Sequence, residues 1–178
     1  MRYPALILAL AGAAALTGCS SLISLSPFVA DTQTADDPAL VGIWKGTGGD
    51  EKGRMVIEQR GSMYALRIEG DGKPMHFQGR LTRAGDAELM DIVCTDEHAL
   101  AIPVHLVVRL WPSAGALKWV YLESDWLKGQ AKEALATQPS GSDTLITTPG
   151  DPVVQFLKKF GADQRAYSGE PNQFVKAQ

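Results

Sequence analysis

The chain has 178 residues, 17 Lys and Arg against 20 Asp and Glu, and a formal net charge of -3. No basic block interrupts it, so nucleic-acid binding lacks its electrostatic footprint, and two cysteines are too few for a disulfide framework. A 45% hydrophobic content supplies one domain with a real core, and no stretch reaches the ~20 apolar residues of a membrane span.

The N-terminus carries Arg2, an apolar run over residues 5–16 and small residues before Cys19. A positive start, a short apolar stretch and small residues before a cut make an export signal over residues 1–18. At about 12 residues the run is too short to cross a bilayer of ~30 Å as a helix. Leu16-Thr17-Gly18-Cys19 resembles the lipobox of bacterial lipoproteins. The resemblance implies that Cys19 becomes the first residue of the mature chain and carries the lipid. Attachment by two or more acyl chains is stable where one is marginal. Lipidation leaves Cys94 without an intramolecular partner. In Gram-negative members of that class an Asp after the cysteine retains the protein at the inner membrane. Ser20 and Ser21 stand there instead. The expected location is therefore the outer membrane, with the domain facing the periplasm.

Residues 19–39 read as a flexible tether, dominated by Ser, Thr, Asp and Pro. Its reach is roughly 25 Å. Leu22, Ile23, Leu25 and Phe28 are the exceptions, placed either at the membrane interface or against the domain. The folded body is expected over 40–167, with a polar, irregular tail over 168–178. Within it, short segments rich in Val, Ile, Tyr, Phe and Trp over 40–45, 54–59, 63–69, 75–82, 89–93, 102–111 and 117–122 are separated by turn residues, with two alternating rows of side chains over 63–69, 75–82, 102–111 and 117–122. Residues 144–147 read as an eighth strand.

Two helices interrupt this run. Ser124 is placed to cap one running to about residue 136, with Asp125 in its first turn and Trp126, Leu127, Ala131 and Leu135 as its apolar stripe. The second spans about 149–160, capped by Thr148 with Pro149 at its first position, or alternatively starting at Asp151-Pro152, and ending at Gly161. The fold class is thus mainly β (α+β), an antiparallel eight-stranded meander closed as a barrel or strongly curved, with two accessory helices. Closure removes the exposed edges of such a sheet. An eight-stranded barrel is either filled by side chains or holds one small ligand.

Gly42-Ile43-Trp44 opens the first strand. A Gly-x-Trp there resembles the lipocalin and wider calycin barrels, in which the Trp plugs the barrel floor and the Gly allows close backbone approach. Thr95-Asp96-Glu97 departs from the second lipocalin signature. A closer resemblance is to a group of bacterial proteins, often lipoproteins, that open with Leu-x-Gly-x-Trp. They carry counterparts of Pro103-Val104-His105-Leu106, Asp125-Trp126-Leu127 and Leu145-Ile146-Thr147-Thr148-Pro149. This likeness covers about 40–167 and implies one domain, without an activity.

Catalysis needs a nucleophile, base or metal held by converging groups. Cys94-Thr95-Asp96-Glu97-His98 offers metal-capable side chains without ligand spacing and reads as a solvated turn. His105 and His76 read as exposed or hydrogen-bonded strand residues. Gly46-Thr47-Gly48-Gly49 and Gly70-Asp71-Gly72 lack the Gly-Lys-Ser/Thr of a phosphate loop, and no Gly-x-Ser-x-Gly elbow occurs. No catalytic residue, metal or cofactor is therefore assigned. The expected role is binding of a small apolar ligand inside the barrel. Trp44, Tyr64, Leu66 and Ile68, with Met75, Phe77 and Leu81, would line it; Arg67, Arg80, Arg109 and His105 would stand at its rim. The alternatives are a protein-interaction module, such as an envelope assembly factor or enzyme inhibitor, and third a hydrolase-type enzyme. Partners are thus the membrane, through the lipid, and an apolar ligand or an envelope protein.

Overall fold

The computed structural model describes residues 21–47, 53–96 and 102–177. The export signal, Cys19, Gly48, Gly49, Glu97 and His98 lie outside the described residues. In chain order the strands are β1 (Leu22–Ser24), β2 (Gly42–Thr47), β3 (Arg54–Arg60), β4 (Met63–Glu69), β5 (Met75–Ala84), β6 (Ala87–Cys94), β7 (His105–Ser113) and β8 (Ala116–Tyr121). Helix α1 (Asp125–Ala134), β9 (Thr137–Ser140), β10 (Asp143–Ile146), helix α2 (Asp151–Phe160) and β11 (Asn172–Lys176) follow.

Strands β2 to β8 form the expected antiparallel meander, each paired with the next. Two-residue turns link β3 to β4 and β5 to β6. Gly61 and Gly85 occupy them at φ 64° and 60°, a conformation that such hairpin loops require and side-chain-bearing residues resist. Pairing of β11 with β8 on one side and β2 on the other completes a ring of eight. The expectation of an irregular tail over 168–178 is corrected by this strand. Its sequence, Asn-Gln-Phe-Val-Lys, is too polar to advertise a strand, and the two open edges on either side supply its structure.

The eighth strand expected at 144–147 is corrected in the same way. It is β10, and it lies outside the ring. It runs parallel to β1 and antiparallel to β9, and β1 joins this small sheet to the start of β7 through Ser24 and His105. The flexible tether over 19–39 is corrected from residue 22 onward. Leu22, Phe28 and Val29 keep 3% or less of their surface. Residues 28–40 form a strap down the outer wall. Thr82 Oγ1 donates to the Gln33 carbonyl at 3.0 Å, and Ala35 N–H donates to the Leu81 carbonyl at 2.7 Å. The strap contains two 3-10 turns, Asp31–Gln33 and Pro38–Leu40, and the second closes the lower end.

Helix α1 starts as expected, with Ser124 Oγ accepting the Leu127 N–H at 3.1 Å. Helix α2 starts at the alternative position. Gly150 (φ 70°) precedes Asp151-Pro152, while Thr148 Oγ1 instead accepts the Ala136 N–H at 2.7 Å. The helices cover the outer wall of β6 and β7, so the molecule has two apolar cores. One fills the ring, around Trp44, Met55, Leu81, Met90, Val108 and Leu117. The other lies between wall and helices, around Leu89, Val107, Leu127, Val153, Phe156 and Leu157. Each buried Leu, Val or Phe contributes about 2 kcal/mol of transfer free energy. Strand β7 feeds both cores, Val108 and Leu110 inward and Val107 outward.

Candidate functional site

Inside the ring, Trp44, Tyr64, Leu66 and Leu81 keep 0–3% of their surface. A hollow wide enough for a ligand would leave its lining side chains accessible. These four therefore pack against one another and against Met55, Met90 and Val108 as a filled core. Trp44 stands at the lower end, and its Nε1–H donates to the Leu40 carbonyl at 2.9 Å. Lys176 lies over its ring, Nζ 5.2 Å from the centroid. Tyr64 OH receives the Asp37 N–H at 2.8 Å, and burial pushes its pKa up. The expected lining set is thus corrected for Trp44 and Leu81; Tyr64 and Leu66, though buried, also border the concavity on β3, β4 and β5. At the opposite end Ile68 and Phe77 are half-buried, and Met75, at 49%, is exposed.

The expected rim residues do not meet at a rim. Each alternates along its strand with an inward residue, so each projects from the outer wall. Arg67 pairs with Glu69 at 3.0 Å and Arg80 with Asp31 at 2.8 Å. Arg109, 7% exposed, donates to the Ala162 carbonyl at 3.1 Å and packs on the rings of Trp111 (4.9 Å) and Tyr167 (5.4 Å), which meet edge-on. It fastens the segment after α2 to the wall. His105 sits beneath β1.

The outer wall of β6 and β7 carries the most convergent polar group. His105 Nδ1 lies 2.9 Å from Asp91 Oδ1. Asp91 Oδ2 accepts the backbone N–H groups of Phe28 and Val29 at 3.0 and 3.4 Å. Ser24 is the register partner of His105. Serine, histidine and aspartate here share the residue types of a hydrolase triad but not its geometry. Ser24 has no exposed surface, and its Oγ accepts the Ser26 N–H at 3.1 Å. Among the described residues no side-chain hydrogen bond joins Ser24 to His105; they meet only as backbone partners of β1 and β7. A nucleophile with no access to solvent has no room for substrate, so the cluster pins the strap to the barrel. Sequence reading missed Asp91. The signal was a single charge amid Leu89, Met90, Ile92 and Val93, which demands a buried partner.

A second cluster stands at the upper end. His76 donates its backbone N–H to Asp96 Oδ2 at 2.9 Å, with Nδ1 2.8 Å from Oδ1. These contacts, the backbone one first, hold the Asp96 carboxyl below its usual range. Cys94 Sγ lies 3.8 Å from the same carboxylate. Among the described residues no three metal-capable side chains converge on a point.

A concavity of about 410 Å³ lies on β3, β4 and β5, lined mainly by outward residues such as Glu58, Arg60, Ala65, Arg67 and Gln78 and bordered by Tyr64, Leu66 and Phe77. Its depth has a local cause. Ala65 is the short side chain of the central strand, flanked in register by Glu58 and Gln78. Its charges are locally balanced, with Arg60 on Glu58 at 3.0 Å and Arg67 on Glu69.

No family model, curated protein or solved structure matches this chain.

Proposed function

We propose that the protein is a lipid-anchored lipoprotein of the cell envelope, held through Cys19 at the outer membrane and facing the periplasm, and that it acts without catalysis as a protein-interaction module. The observation that carries the non-ligand reading is the filled ring: Trp44, Leu81, Val108 and Leu117 keep at most 1% of their surface, which leaves a closed, rigid mount. The groove around Ala65 is the surface that such a mount presents to an envelope partner. A rigid β-face holds its side chains fixed, so little ordering entropy opposes docking.

A second reading, a small apolar ligand held at the upper end of the barrel, is favoured by exposed Met75 beside half-buried Phe77 and Ile68. Native mass spectrometry of the detergent-purified, acylated protein separates the two. A mass equal to the acylated chain alone supports the interaction module; a retained lipid-sized adduct, lost in Met75→Glu, supports the ligand reading. Photo-cross-linking from position 65 in intact cells should give one discrete adduct that weakens in Arg67→Glu. The same adducts from position 118, on the far wall, would sink the groove as the docking surface.

A further inference from the structure

We infer that the small sheet of β1, β10 and β9 is the face that this protein lays against the lipid bilayer, so that the barrel rides on the membrane in one orientation rather than swinging on a tether. This rests on the reading of Cys19 as the acylated residue. From Cys19 to Ser21 the chain crosses two peptide units, a span of at most about 7 Å. Ser21 is already fixed. Its N–H donates to Asp143 Oδ1 at 2.8 Å, and its carbonyl accepts the Thr144 N–H at 2.9 Å. Leu22, Ile23 and Ser24 are buried and in register with Thr144, Leu145 and Ile146. Acyl chains attached so close to a fixed strand bring that strand to the depth of the headgroups.

The chemistry of the face agrees. Leu22, Thr144 and Ile146 point into the protein. The opposite side carries half-buried Leu145 and Leu25, which is 42% exposed, while Ile23, at 7%, adds little to its surface. Gln138 stands beside Leu145 on β9 and is exposed. The three strands carry one ionisable side chain, Asp143, already committed to Ser21. In a chain with 21% charged residues, this is a surface that contacts headgroups with little desolvation cost. An exposed leucine next to lipid adds interfacial burial to the covalent anchor.

The test uses full-length acylated protein in vesicles of phosphatidylethanolamine and phosphatidylglycerol. A benzophenone amino acid is placed at position 25 or 138, and at 43 or 175 as controls. Ile43 and Val175 are exposed apolar residues on the barrel wall, at 36% and 45%, so they control for hydrophobicity. Irradiation should give lipid adducts at 25 and 138 several-fold above 43 and 175. A long Gly/Ser insertion between Ser20 and Ser21 should remove that difference. Equal adducts at all four positions, or none, would overturn the inference. The mass of the N-terminal peptide separates the two levels: an acylated Cys19 without adducts at 25 and 138 defeats only the orientation, whereas an unmodified Cys19 defeats both.

Discussion

Asp91 and His105 stand on neighbouring strands of the outer wall, joined at 2.9 Å, and the same carboxylate holds two backbone N–H groups of the strap. The pair links the wall of the barrel to the segment that leads away from Cys19. Asp91→Ala leaves the Phe28 N–H and the imidazole unpaired under β1. We expect a loss of about 3 kcal/mol in urea unfolding. The strap around residue 28 should also become sensitive to limited proteolysis under native conditions. A loss below about 0.5 kcal/mol would show that the pair is incidental.

The filled interior predicts the response at Gly79. A Cβ built there meets Met90 Sδ at 2.7 Å and Leu66 Cδ1 at 3.1 Å. Gly79→Val should therefore cost about 2 kcal/mol through overpacking, read as a lower urea midpoint at unchanged slope. Met90→Ala in the same chain should recover part of it. A hollow barrel would accept the valine without cost.

Strand β11 is the closing stave of the ring. A stop codon after residue 167 should expose the edges of β2 and β8 and give a chain that aggregates on size-exclusion chromatography. The milder Phe174→Ala keeps the backbone pairing but removes the edge-on contact with Trp119, whose ring centroid lies 5.7 Å away. It should cost about 2 kcal/mol. A truncated chain that melts cooperatively at the full-length temperature would refute the role of the strand.

Glu123 carries a pH prediction. Burial raises its carboxyl above the usual value of 4.5, and Lys128 offsets this only in part. The folded state thus holds this proton at pH values where the unfolded chain has released it. Stability falls as pH rises from the unfolded value through the raised folded one. Glu123→Gln removes that loss. Its Tm should exceed that of the natural chain at pH 7, and the two should converge below pH 4.5. An equal gain at both pH values would point to packing rather than ionisation.

The meander was legible because Tyr64, Leu66 and Ile68, or Val104, Leu106 and Val108, repeat with the period of a pleated strand. The caps of α1 were legible because Ser124 and Asp125 act within one turn of themselves. Whatever depended on a distant neighbour was not. Leu22, Phe28 and Val29 are too few to signal a strand or strap, and only the wall of β6 and β7 gives them a place. Asn172–Lys176 becomes a strand because β2 and β8 offer it two ladders. The expected rim failed for another reason. Alternation says that Arg67 and Arg109 lie opposite the apolar row, and in a closed ring that side is the outer wall rather than the mouth.

Thr47 and Gln173 touch across 126 residues of sequence. A chain delivered from its N-terminus can zip β2 through β8 in order as each hairpin emerges, since those contacts are local. It cannot become a ring until β11 is free, because the final stave follows β8 only after both helices and the small sheet have been made. Closure is therefore a timed event, and until it happens two unpaired borders stay open to any chaperone, or any neighbour, that binds extended backbone.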